Sequence, residues 1–183
     1  MSHERRGAKG LWTLIELFLR LTISPRLRAR LMGLLGAKVG TNVRIYESRF
    51  INLRTGFRNL TVESDAHVGT DCLLDLEGSL FIGTGAVLSP RVTVLTHSDP
   101  GSHHGSPLVA RFPPETSGVA VGPHAWIGAS SIILAGRTVG EESVVAAGSV
   151  VNRDIPAREV WGGVPARRLE GSDNPSADGP DDR

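Results

Sequence analysis

Between Val121 and Pro156 the chain runs VGPHAW-IGASSI-ILAGRT-VGEESV-VAAGSV-VNRDIP. Each block of six opens on an aliphatic residue: Val121, Ile127, Ile133, Val139, Val145 and Val151. Gly follows in three of them, as Gly122, Gly128 and Gly140, and the fifth place is mostly small (Ala125, Ser131, Ser143, Ser149). Neither the 3.6-residue helix period nor the two-residue strand period alone produces a pure period of six. A short flat strand followed by a tight turn does. The aliphatic side chain then points inward, and Gly is expected to supply turn dihedrals that a side chain would resist. Three blocks close one triangular coil, and stacked coils share a continuous apolar interior.

The period extends towards the N-terminus, from Ala37. Val39, Ile45 and Ile51 open one set of blocks, Val62, Val68 and Leu74 a second, and Ile82, Leu88 and Val94 a third, with Gly40, Gly69 and Gly83 in the expected places. The jumps between sets are not multiples of six, so short excursions leave the coils around residues 52–60 and 77–80. One long break, THSDPGSHHGSPLVARFPPETSG from Thr96 to Gly118, abandons the period. A loop of that length in a compact fold is more often functional than decorative.

Before the coils, Leu11 to Ile23 (LWTLIELFLRLTI) is apolar but carries Glu16 and Arg20, and is shorter than the ~18–20 residues of a membrane span. It is also not a convincing signal peptide. Pro25 interrupts it, and helical propensity resumes up to Gly33 and Gly36. Two readings stand for residues 1–36: a helical cap on the open end of the coils, or an amphipathic anchor. In the second, Arg5, Arg6, Lys9, Arg20, Arg26, Arg28 and Arg30 surround an apolar face that contacts an anionic membrane through residues 5–30. The coils occupy 37–169, and the tail 170–183 (EGSDNPSADGPDDR) has the composition of a disordered segment.

Composition bounds the function. A length of 183 residues fits one domain, and a net charge of +1 gives no case for a nucleic-acid surface. Aromatic residues at 5% with 22 glycines suit stacked short strands better than a helical bundle. The single cysteine, Cys72, excludes an internal disulfide framework and fits a reducing, cytoplasmic setting.

The segments THSDP, AWIGA, AAGSVVNRDIP and GGVPAR, in that order from Thr96 to Arg167, resemble the hexapeptide-repeat acyltransferases, and within them the sugar O-acetyltransferase branch. The resemblance covers about Gly36 to Leu169. It implies an all-β fold, a left-handed parallel β-helix, whose hand comes from the resemblance and not from the spacing. It also implies acetyl-coenzyme A (acetyl-CoA) as cosubstrate and a homotrimer with sites at subunit interfaces. The acceptor implied is a sugar or lipid-linked saccharide, as in polysaccharide biosynthesis.

His97 matches the family's catalytic base. It ends the last strand before the long loop, held by a rigid coil yet open to a cleft. A sugar hydroxyl attacks a thioester only once a base takes its proton, which neutral imidazole does near pH 7. Asp99 is placed to orient His97 or to contact the acceptor. Asp75, in CLLDLEG, and Glu115, in FPPETSG, are further acceptor-binding candidates, with ordinary solvated turn residues as the alternative. For the donor, Trp126 matches a tryptophan lining the family's site, and Ala129 and Ala147 match positions whose backbone meets pantetheine. Asn152 and Arg153 match a threonine–lysine pair. Arg167 matches a phosphate-side arginine, and a guanidinium meets phosphates bidentately.

His103 and His104, together with His97, invite a zinc reading, but adjacent side chains rarely converge on one ion, so no metal is expected. His124 is a turn residue. Two features depart from the family pattern: Arg137, where a small or apolar side chain is usual, and the HHGS segment of the loop. Cys72 has no base motif beside it, which favours direct transfer in a ternary complex over an acyl-enzyme. Serine or amino-sugar acetylation are the rivals among enzymes. A non-catalytic scaffold and a metal-dependent, carbonic-anhydrase-like protein are the rivals of other classes.

Overall fold

The computed structural model describes residues 2–169, with side chains from Gly10 onward. The expectation for the tail at 170–183 lies outside the described residues, as do the side chains of Arg5, Arg6 and Lys9. Two helices, α1 (Ser2–Arg20) and α2 (Pro25–Leu34), precede a left-handed parallel β-helix. Its first face stacks Lys38–Val39, Leu60–Val62, Leu80–Ile82, Val119–Val121 and Thr138–Val139. The second stacks Arg44–Ile45, His67–Val68, Val87–Leu88, Trp126–Ile127, Val144–Val145 and Val160–Gly162. Arg167–Arg168 closes that face in antiparallel pairing. The third stacks Arg49–Ile51, Leu73–Asp75, Thr93–Val94, Ile132–Ile133 and Val150–Val151.

All six block openers from Val121 to Val151 are fully buried. Each lies directly above its counterpart in the coil before, as Val121 above Ile82 and Ile127 above Leu88, so the interior is one apolar column. The block reading slips by one at the first coil. Phe50, not Ile51, faces inward, because Phe50 pairs with Leu74 and Ile51 with Asp75. The excursion over 52–60 lets the first coil change phase, and the inward Phe50 stacks edge-on to the buried Phe57 at 5.5 Å.

The repeat glycines serve a different purpose from the one expected. The left-handed residue at these corners falls two places later: Asn42 after Gly40, Asp71 after Gly69, His124 after Gly122, Ser130 after Gly128 and Glu142 after Gly140. The glycine itself is where successive coils come closest. A Cβ on Gly128 would stand 2.5 Å from the backbone nitrogen of Ala147 and 2.6 Å from the carbonyl oxygen of Val145. Gly is therefore needed for the approach of one coil to the next.

The helices pack on the first coils. Trp12 meets Phe57 edge-on at 6.1 Å, and the buried Glu16 accepts a hydrogen bond from the Phe50 amide at 3.3 Å. Ser24 caps α2 and Pro25 occupies its first turn, in line with the interruption expected at Pro25. Arg28 does not join a charged outer face. It is buried, and its guanidinium donates to the carbonyls of Leu19 (2.8 Å), Arg20 (3.2 Å), Thr22 and Ile45 (2.8 Å). It thus satisfies the open end of α1 and ties it to the first coil. Arg20 pairs with Glu47 at 2.7 Å and Arg26 donates to Asn42.

The long break leaves the third face after Val94 and rejoins the first at Val119. Its base is a two-residue antiparallel clamp, His97–Ser98 against Glu115–Thr116, and two 3₁₀ turns fill the rest.

Candidate active site

The site is a column at one edge of the third face, one residue from each of three consecutive coils. Asn52, Asp75 and His97 follow the strands Arg49–Ile51, Leu73–Asp75 and Thr93–Val94, or end them. The Asp75 carboxylate has no exposed surface and accepts four hydrogen bonds. Oδ1 takes the Asn52 side-chain amide at 2.8 Å and the Glu77 N–H at 3.1 Å. Oδ2 takes the Thr96 N–H at 2.8 Å and His97 Nδ1 at 2.5 Å. Burial alone would raise this carboxyl, but the bonds from Asn52, His97, Thr96 and Glu77 outweigh it and hold it below its ordinary value. A carboxylate can only accept, so Nδ1 carries the proton. In neutral imidazole the lone pair is then on Nε2, and the ring is 30% exposed. Such a histidine can take a proton from a bound hydroxyl.

Thr96 locks this arrangement from behind. Buried, it donates through Oγ1 to the Asp75 carbonyl, accepts the Gly78 N–H at 2.9 Å, and receives the Ser117 N–H on its own carbonyl. The entrance and exit of the long loop are thereby fixed to the same residue. Asn52 sits in a left-handed conformation, φ 59°, which turns the chain out of the coil just where its side chain must reach Asp75.

Two sequence expectations are corrected. Asp75 does not reach an acceptor: it is buried and saturated, and it is the group that orients His97. Asp99 does not orient His97: its oxygens accept from the Gly101 and Ser102 amides and the Ser102 hydroxyl. Those bonds, that of the hydroxyl first, lower its carboxyl to about 2. Glu115 is exposed on the clamp, opposite Ser98. A pocket of about 310 Å³ opens between α1 and the first coil, lined by Thr13, Glu16, Arg49, Phe50, Asn52 and Arg54. It shares Asn52 with the His97 column. Neither Asn52 nor Glu16 stood out in the sequence as a site residue.

The residues matched to the donor lie elsewhere on the same chain. Trp126 is 53% exposed at the start of the second face and donates from Nε1 to Ser89 at 3.0 Å. Ala129 and Ala147 stack at the corner between the second and third faces, where the Gly148 N–H bonds the Ala129 carbonyl. From that corner to the edge bearing His97 is one full face, roughly 20 Å at ~3.3 Å per residue. Asn152 and Arg153 follow the last strand of the third face, exposed, and Arg167 is exposed on the closing strand of the second. On one chain Trp126, Ala129 and Ala147 therefore stand a face away from His97, while Asn152 and Arg153 leave the same edge of the third face two rungs further along. Arg137 is half-buried, facing the Ala135 carbonyl and Asp154. His103 and His104 are exposed in a 3₁₀ turn, and among the described residues no group of three potential ligands could hold a metal ion.

Comparison with known proteins places this geometry. No family model matches the chain. It is 34% identical over 142 residues to the Escherichia coli (strain K12) protein named for colanic acid biosynthesis acetyltransferase WcaF, covering 77% of this chain and 72% of that one. The chain belongs to the hexapeptide-repeat acetyltransferases. Within that family it falls on the sugar O-acetyltransferase branch and is an acyl-transfer enzyme. The galactoside O-acetyltransferase of Lactococcus lactis (strain IL1403) is 28% identical over 165 residues, 87% of this chain and 77% of its own length. The fold is shared with a hexapeptide-repeat acetyltransferase of Vibrio cholerae O1 biovar eltor, solved with acetyl-CoA. That match has a TM-score of 0.66 at 22% identity, over 92% of this chain and 88% of that one.

Proposed function

We propose that the protein transfers an acetyl group from acetyl-CoA to a hydroxyl of a sugar or polysaccharide precursor, with His97 as general base. The observation that carries this reading is the bond from His97 Nδ1 to a saturated, buried Asp75 at 2.5 Å. Nε2 of His97 removes the acceptor's hydroxyl proton as the oxygen attacks the thioester carbonyl. The tetrahedral adduct collapses, the carbon–sulfur bond breaks, and the coenzyme A thiolate leaves with the proton that His97 returns. Asp75 stabilises the imidazolium between these two transfers. Direct transfer in a ternary complex is supported by Cys72, which is buried and whose thiol burial pushes up to about 11, far from a nucleophilic thiolate.

The acceptor enters the pocket against Asn52, where Glu16, Arg49 and Arg54 offer polar contacts to hydroxyls, with Glu115 and Asp99 on the loop at its flank. The donor lies along Trp126, Ala129 and Ala147, with Asn152, Arg153 and Arg167 towards its phosphates. Since His97 lies a face apart from Trp126, Ala129 and Ala147 on one chain, the working cleft forms between neighbouring copies, in a homotrimer. A cytoplasmic setting supplies the acyl thioester.

The test measures free coenzyme A thiol released from acetyl-CoA over a panel of sugars, with wild type and His97→Ala. The expected loss in the variant is about 10³-fold, within the usual range for a general base. A His97→Ala protein that turns over as wild type does would overturn the assignment. So would a folded protein whose melting temperature is unmoved by saturating acetyl-CoA, since a site binding at about 100 times its dissociation constant adds ~2.7 kcal/mol.

A further inference from the structure

α1 has two apolar faces, and the coils use only one. Trp12, Ile15, Glu16 and Leu19 turn towards the first coils. Leu11, Leu14, Phe18 and Leu21, at steps of three, four and three, form a second stripe, and they are 57%, 66%, 66% and 74% exposed. α2 continues this surface with Leu27, Leu34 and the preceding Ile23, the last 98% exposed. Between the helices runs an apolar groove of about 430 Å³, floored by Ile15, Leu19, Leu31 and Leu35. Scattered exposed leucines are ordinary, but a contiguous surface of this kind marks an interaction site.

Charge says what covers it. Ten of the twenty Lys and Arg residues fall in the first 49 positions, against three of the nineteen acidic ones. That segment therefore carries +7 while the remainder of the chain carries −6. The two acids whose side chains are described there are turned inward or paired: Glu16 is buried and Glu47 is held by Arg20. Arg30, one turn from Leu27 and Leu34 on α2, is exposed beside those leucines. No helix among the described residues is long and apolar enough to cross a membrane. An apolar stripe backed by cations on an otherwise acidic molecule is the chemistry of binding in the plane of an anionic bilayer.

We propose that the outer face of α1 and α2 docks on an anionic lipid surface, with Leu11, Leu14, Phe18, Leu21 and Leu34 inserted at the headgroup level. This is independent of the acetyl-transfer reading and is tested without activity. Full-length protein is sedimented with vesicles of phosphatidylcholine alone, or of equal parts phosphatidylcholine and phosphatidylglycerol, at low and high salt. Wild type pellets with the anionic vesicles, at least about tenfold tighter than with the neutral ones, and salt weakens it. Leu14→Glu with Phe18→Glu abolishes pelleting while the melting temperature and the mass by light scattering stay those of wild type. Arg30→Ala weakens anionic binding by about fivefold, with the stripe intact. Wild type remaining in the supernatant with both vesicles overturns the proposal, as does equal, salt-insensitive binding to both. A fall in mass of the double variant also overturns it, and shows that a second copy covers the face.

Discussion

Replacing Asp75 by Asn changes one atom and removes one charge from the centre of a fully bonded, buried cluster. The carboxylate accepts four donors, two on each oxygen. An amide offers one oxygen, so its NH₂ must face two N–H donors, whichever way it turns. If the NH₂ faces His97, it donates to Nδ1 and forces the ring proton onto Nε2, where the base must be unprotonated. If it faces Asn52 and Glu77, both donors lose their acceptor in the interior. Hydrogen bonds to a charged group contribute ~1.5–3 kcal/mol each, so the destabilisation is about 3 kcal/mol. For a chain of this length that lowers the melting temperature by roughly 6–12 °C. The tautomer inversion lowers kcat by about 10³–10⁴-fold, the size of effect the same exchange has in the serine-protease triad. The two losses separate by pH. The folded carboxyl of Asp75 lies below its ordinary value, so its stabilising contribution is present above the unfolded value of ~3.9 and is lost as pH falls through the folded one. The gap in melting temperature between wild type and Asp75→Asn therefore narrows below about pH 4. Thiol-release kinetics and melts from pH 8 down to acid unfolding read both quantities. A variant that keeps kcat within about tenfold of wild type would refute the orienting role; a gap that holds steady into acid would refute the charged, bonded state of Asp75.

Other substitutions probe the same frame. Asn52→Gly keeps the left-handed backbone while removing the donor to Asp75 and a side chain of the acceptor pocket, and should lower kcat by about tenfold while KM for acetyl-CoA stays put. Gly128→Ala drives a methyl into the Ala147 amide and should lower stability by about 3 kcal/mol by thermal melt; an unchanged melt would mean that the coils are free to separate. Cys72, buried and with its thiol at about 11, should stay unlabelled by a thiol reagent in native protein and react at once on unfolding.

The sequence displays the coils well where nothing interrupts them. From Val121 to Val151 the inward residue repeats every six positions because each strand and corner has the same length. The first coil is harder to read, since the excursion after Asn52 removes the constraint on phase and Phe50 displaces Ile51 from the interior. His97 is visible because its motif is contiguous. Its orienting partner is hidden, because residues 52, 75 and 97 become neighbours only through stacking across excursions of unequal length. Nearness in sequence favours Asp99, whose short side chain is drawn into its own turn. Likewise a charge on an amphipathic helix defaults to solvent, and nothing local marks Glu16 or Arg28 as the two that point in.

With His97 as the proposed base, turnover should gauge the alignment of the three successive coils that carry Asn52, Asp75 and His97. Rungs of a sheet lie ~4.8 Å apart, and a slip by one residue moves a side chain ~3.3 Å and to the opposite face. An insertion or deletion between positions 52 and 97 that shifts one rung against the next should therefore abolish turnover even if the stack still forms. Adding or removing a whole rung beyond Val139 leaves the trio untouched. Length between positions 52 and 97 is thus constrained wherever it sets one rung on the next, while the rungs beyond Val139 are constrained instead by the donor residues proposed there, Ala147, Asn152 and Arg153.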